Sequence, residues 1–225
     1  MKKHENLLII LLLLFCGGFF DAYSYMLRGK TFATMQTGNM ILLVYNLYLK
    51  EFSKALMYLI PIFAFMFGAF LAQVIEVLVG TQKKIKWYQV VVLLESIVII
   101  PSIFIPIGDY NFLANMFISL SCGMQLHSFR KTKGQVVATT MCTGNLKSVG
   151  DNLAMLLIKK DKSYLKNMLM FISFILTFMF GCLISYITSN KITNYSLVIP
   201  FIVLFVTLIL LIVIKEKEDL NNIEC

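Results

Sequence analysis

Five stretches of this chain, 7–20, 56–79, 90–107, 168–187 and 197–214, contain no more than one charged residue each. Their lengths approach or reach the roughly 20 helical residues that cross a hydrocarbon core. No soluble fold of 225 residues can hide five such segments, so lipid must solvate them. Lipid offers no partner to a free backbone amide, so runs of this length are helices, and none alternates with the period of two that a membrane barrel requires. The composition agrees: 59% of residues are hydrophobic and 14% charged, against about 45–50% and 25% in soluble domains.

The N-terminus, Lys2-Lys3-His4 before an apolar run ending near Cys16, imitates a signal peptide or lipoprotein leader. Phe15 stands where a lipobox needs a small residue, and no small-x-small cleavage site precedes Gly17-Gly18, so the expectation is an uncleaved first helix. The five cysteines, Cys16, Cys122, Cys142, Cys182 and Cys225, lack CxxC or any other ligand spacing. They predict packing residues, with no disulfide framework, metal or other cofactor.

Sliding the chain against itself gives one register, an offset of about 106 residues, at which matches cluster without a gap. Leu14 falls on Leu120, Cys16-Gly17 on Cys122-Gly123, Thr34-Met35 on Thr140-Met141 and Thr37-Gly38-Asn39 on Thr143-Gly144-Asn145. Further on, Gly68 falls on Gly181 once the second copy has gained several residues. The reading is one membrane domain over 1–225, with repeat 1 at about 7–107, repeat 2 at about 111–214 and a charged cytoplasmic tail at 215–225.

Charge distribution fixes the expected relation between the copies. With six spans and a cytoplasmic N-terminus, Arg28, Lys30, Lys50, Lys54 and Lys191 lie outside and the other fifteen of the 20 Lys and Arg residues inside. Eight spans give near parity. The positive-inside rule therefore selects six spans and two cytoplasmic termini, and it explains the net charge of +8 without nucleic acid. Three spans per copy is an odd number, so the second copy enters from the opposite face. The expected fold is an all-α membrane protein of about six transmembrane helices in two inverted three-helix repeats, a plan common among transporters.

The motif segments are polar at their start and apolar later, which suits a re-entrant dip: extended backbone, a turn at Thr-Gly-Asn, then a half-helix. Non-helical backbone at membrane depth survives only where protein buries it or it lines a wet cavity. Thr and Asn favour helix N-caps and Gly permits a turn. Half-helix N-termini, each with about half a positive charge, meeting near the midplane would suit a polar or anionic solute. Thr37, Gly38, Asn39, Thr143, Gly144 and Asn145 are thus the candidate permeation or binding residues, to be weighed against close helix packing by the same small polar residues.

Ionisable residues inside spans are functional suspects. Asp21 interrupts the first span, with Arg28 two turns on as a possible partner; His127 occupies its repeat equivalent, beside Arg130; Gln125 lies two residues earlier. These three join the candidate site. Glu95 has no cation nearby in sequence, and Glu76 is two turns from Lys83-Lys84.

The run Gly17-Gly18-Phe19-Phe20-Asp21-Ala22 with Thr37-Gly38-Asn39, then Gly123-Met124-Gln125 and Thr143-Gly144-Asn145, resembles the YoaK-like family, a domain of unknown function among bacterial inner-membrane proteins. The resemblance covers nearly the whole chain. It implies a polytopic bacterial inner-membrane protein with about six spans and no established activity. The functional expectation is a gradient-driven channel or secondary transporter, since no nucleotide-binding motif is present to power it. A membrane scaffold or accessory subunit is the alternative, and a membrane-embedded enzyme using Asp21, His127 or Glu95 the third reading. The expected partners are the lipid bilayer, a small-molecule solute and further copies of the chain in a homo-oligomer.

Overall fold

A computed structural model describes residues 5–80 and 85–214. The tail 215–225 and Lys2, Lys3, Lys83, Lys84, Lys215 and Lys217 of the charge argument lie outside these residues. The described chain is mostly α-helical, with one short hairpin and several non-helical connections. In order it forms α1 (Leu7–Leu27), α2 (Gln36–Tyr48), α3 (Phe52–Val79), α4 (Trp87–Phe104), α5 (Asn111–Ser128), β1 (Lys131–Thr132), β2 (Gln135–Val136), α6 (Thr143–Lys159), α7 (Lys162–Ile192), a 3-10 turn (Thr193–Leu197) and α8 (Val198–Val213). Side chains start two of the long helices: Asn6 accepts from the Leu8 amide at α1 and Asp161 from the Ser163 amide at α7. That amide also holds the exposed Asp161 carboxyl below its usual range.

Four stretches are helical, long and apolar enough to cross a membrane: Leu7–Leu27, Phe52–Val79, Trp87–Phe104 and Lys162–Val213, the last comprising α7, the 3-10 turn and α8. α5, expected as a span, is not among them. It buries Asn111, Asn115, Ser119, Ser121, Gln125 and Ser128. A helix sheathed by protein has no need of an apolar surface on every side.

The first helix of each copy packs on the third helix of the other, α1 along α7 and α3 along α5. The remaining contacts pair in the same way: α2 with α3 and α6 with α7, α4 with α5 and α8 with α1, and α4 with α8. Glycines set the two crossings. A Cβ on Gly68 would overlap the Leu120 carbonyl and one on Gly123 the Phe65 carbonyl. At the other crossing Gly181 meets the Phe15 carbonyl and Gly18 the Phe178 carbonyl. Backbones approaching this closely exclude any larger residue.

The crossings correct the helix register read from the letters. Phe15 and Gly18 correspond to Leu120 and Gly123, and Phe65 and Gly68 to Phe178 and Gly181. In space Gly123 therefore answers Gly18, not Gly17, and the counterpart of Asp21 is Leu126, not His127. Identity at Cys-Gly favoured the neighbouring register; backbone contact selects this one.

Gly123→Ala is expected to force α3 and α5 apart and destabilise the protein by about 1–3 kcal/mol, as overpacked cores do. Gly144→Ala has nothing within 4 Å of the added carbon and should be neutral or stabilising by up to about 1 kcal/mol through helix propensity. Denaturation midpoints of the two variants in one detergent check the contrast.

Candidate functional site: the buried crossing of two non-helical segments

The non-helical segments before α2 and α6 run through the interior, where Ala33, Thr34, Thr139 and Thr140 are fully buried and Val137 nearly so. Each is pinned to its half-helix by the motif asparagine. Asn39 Oδ1 accepts from the Phe32 amide at 2.9 Å and its Nδ2 donates to the Phe32 carbonyl at 2.6 Å. Asn145 treats Ala138 in the same way, at 3.4 and 3.1 Å. A carboxamide carries one acceptor and a donor group in the layout of a peptide, so it pairs with an extended residue as a neighbouring strand would. The expected N-cap role is not what these asparagines do: Met35 and Cys142 are the N-caps, without side-chain bonds, and Asn39 and Asn145 lie inside the first turns.

The other motif residues face outward. Thr37, Thr143 and Gly144 are exposed and Gly38 is half-buried, beneath the Phe32 ring.

The two segments meet at Thr34 and Thr140. Thr34 Oγ1 is within hydrogen-bonding reach of the Thr140 carbonyl and of Asp21 Oδ2. The Thr34 amide donates to Asp21 Oδ1 at 2.7 Å. Residues matched in the repeat thus touch each other, with a carboxyl from α1 beside them. A hydroxyl has one proton to donate. Both contacts of Thr34 Oγ1 are hydrogen bonds at once only when Asp21 carries a proton and donates it to Thr34, which then donates to Thr140.

Asp21 also lies against the entry to α2, where helix amides concentrate positive potential. The protein's own carboxyl occupies the place foreseen there for an anion. No acidic residue lies in the first turn of α6.

Gln125 completes the crossing. Its Nε2 donates to the carbonyls of Leu13, at 3.1 Å, and Thr139, at 3.4 Å, tying α1, α5 and the second segment together. Gly17 lies against the backbone of Thr139 and Thr140, leaving no room for a side chain. The hydroxyls of Thr31, Ser121, Thr139 and Thr140 are buried here without a partner among the described residues.

His127 stands apart. Its Nε2 lies 2.9 Å from Glu76 Oε2, and it lines a cavity of about 480 Å³ with Glu5, Glu76, Trp87 and Arg130. Arg28 does not meet Asp21. It is wholly buried, and its guanidinium donates to the Tyr23 hydroxyl, the Asn111 side-chain oxygen and the carbonyls of Ser102, Ile105 and Pro106, at 2.7 to 3.3 Å. Those three carbonyls lie at the C-terminal end of α4, the negative end of a helix. Asn115 donates in turn to the Arg28 carbonyl at 2.8 Å, so this residue anchors the start of the first non-helical segment.

Thr34 and Thr140 were legible as a matched pair but lay outside the Thr-Gly-Asn triplet. Arg28 had no signal beyond its place in a polar stretch.

Long apolar helices around this buried polar crossing define an all-α membrane protein. The family described as Protein of unknown function (DUF1275) matches residues 9–210, and the chain belongs to that family. No curated protein and no solved structure matches it.

Proposed function

We propose that the protein is a gradient-driven channel or secondary transporter for a small polar solute, in a bacterial inner membrane, with six spans, two inverted repeats and cytoplasmic termini. The observation that carries this reading is the contact of Thr34 with Thr140 beside Asp21, two non-helical segments brought together in the interior of a membrane protein. Backbone of this kind is a recurrent device for solute sites. The Lys and Arg distribution supports inversion, and helix contacts that pair copy with copy are compatible with it. Asp21 at the entry to α2 favours a neutral or cationic polar group on that side, and the α6 side suits an anionic group. Asp21, Gln125, Thr34 and Thr140 form the site, and Asn39 and Asn145 hold its segments in shape. Burial of the crossing makes the described form an occluded one.

The test is a solute-flux screen in proteoliposomes with Asp21→Asn and Thr34→Val beside the unmodified protein. Each substitution removes hydrogen bonding to a charged or chargeable group, worth about 1.5–3 kcal/mol, so flux of the transported solute should fall by roughly 10- to 100-fold in variants that circular dichroism shows to be folded. Flux unchanged in both variants would remove the crossing from the mechanism.

Full burial of Thr34 and Thr140 also supports a second reading, a scaffold whose centre never opens. It predicts no flux of any solute in the screen and capture of a defined membrane partner. For an enzyme, Asp21 bonded to Thr34, His127 paired with Glu76 and Glu95 without a partner among the described residues form no acid–base constellation.

A further inference from the structure

Glu95 is the ninth of the eighteen residues of α4 and is wholly buried. Neither carboxyl oxygen has a hydrogen-bond partner among the described residues. Buried polar side chains are normally satisfied, and glutamate is seldom fully buried unless paired. A residue that broke both rules for packing alone would be replaced by leucine or methionine at no loss.

Its surroundings offer no counter-charge among the described residues. α4 packs against α3, α5, α8 and the 3-10 turn. From α5 the titratable group within electrostatic reach is Cys122, and from α1 it is Cys16. α8 has no ionisable side chain. On α3, Lys54 is paired with Glu51 and Glu76 with His127 of α5. Tyr195 of the 3-10 turn is exposed. Arg28, buried at the far end of α4, spends its donors on Tyr23, Asn111 and three carbonyls.

An environment of thiols and hydrocarbon accommodates the neutral acid and not the bare carboxylate. No group of three or more His, Cys, Asp or Glu among the described residues is placed to hold a metal, so a proton is the ligand that fits. Cys122 lies within electrostatic reach of Asp21 as well as Glu95.

We propose that Glu95 is a proton-binding site at mid-depth in the membrane, which takes up and releases H+ as the protein changes conformation. On release its O–H bond breaks, the proton passes to water and the carboxylate remains. This goes beyond the transport reading, and its test needs no solute.

Infrared spectroscopy of the full-length protein in lipid nanodiscs reads the carbonyl stretch of protonated carboxylic acids directly. In an Asp21→Asn background, which removes the carboxylic acid of the crossing, the protein should show such a band at neutral pH, and adding Glu95→Gln should abolish it. Transfer to D2O should shift it, reporting exchange with the aqueous phase. In that background a band that survives Glu95→Gln, or no protonated-acid band at all, overturns the proposal. So does a band that fails to shift in D2O, since a sealed proton is structural. Gln is isosteric and neutral, and an unchanged circular dichroism spectrum of E95Q certifies the comparison. Loss of the flux predicted for the Asp21–Thr34 crossing, with this band intact and exchanging, would count against the transport reading alone.

Discussion

Asn39→Leu should destabilise the protein by about 2–4 kcal/mol, because both the amide and the carbonyl of Phe32 lose their partner and each buried unsatisfied group costs about 1–3 kcal/mol. Asn145→Leu should cost less. Its bonds to Ala138 are 3.1 and 3.4 Å long against 2.6 and 2.9 Å at Asn39, so the same substitution removes weaker bonds from the second copy. Asn39→Asp is more informative than either. It keeps an acceptor for the Phe32 amide but turns an oxygen toward the Phe32 carbonyl, so it should destabilise nearly as much as leucine despite preserving shape. Equilibrium unfolding in mixed detergent, followed by helical circular dichroism, measures all three. Equal and negligible effects would mean that the motif asparagines do not hold the segments.

Arg28→Ala should be more damaging, by about 3–5 kcal/mol, the range seen when one member of a buried charged network is removed. The Tyr23 hydroxyl, the Asn111 side chain and three carbonyls at the end of α4 would lose their donor, and a cavity the size of a guanidinium would open in a fully buried place. Arg28→Lys keeps the charge beside the helix end yet reaches only part of the fan, since an ammonium lacks the planar fork. It should recover roughly half of the loss. Midpoints in the order Arg, Lys, Ala are the expected result; a lysine variant as stable as the unmodified protein would show that charge alone matters there.

Much of this architecture was legible because membranes restrict the vocabulary. Apolar runs located α1, α3, α4, α7 and α8, and the polar start of each motif segment marked the non-helical stretch leading into α2 or α6, although the expected turn at Thr-Gly-Asn lies inside the helix. α5 was harder, since its buried face is full of Asn, Ser and Gln and only its neighbours explain why. The role of the asparagines was misread because N-capping is a local interaction and pairing with a residue seven positions back is not. Arg28 counted as an exterior charge in the topology argument, yet it is satisfied by carbonyls more than seventy residues away. Helix register slipped by one between α1 and α5 because identical letters favoured one alignment and backbone contact another. Proximity of Thr34 to Thr140 followed from nothing local.

The exchange of helices between the halves has a consequence for biogenesis. Gly18 of α1 finds its bed on Phe178 of α7, about 160 residues later, which at roughly 5–20 residues per second is some 8 to 30 seconds of translation. Throughout that interval the glycine notch of α1 is uncovered. An insertase or lipid must shelter it until the last quarter of the protein is made. A ribosome that stalls before α7 therefore releases a product that cannot close, and membrane quality control should find its substrate in the nascent chain more often than in the finished one.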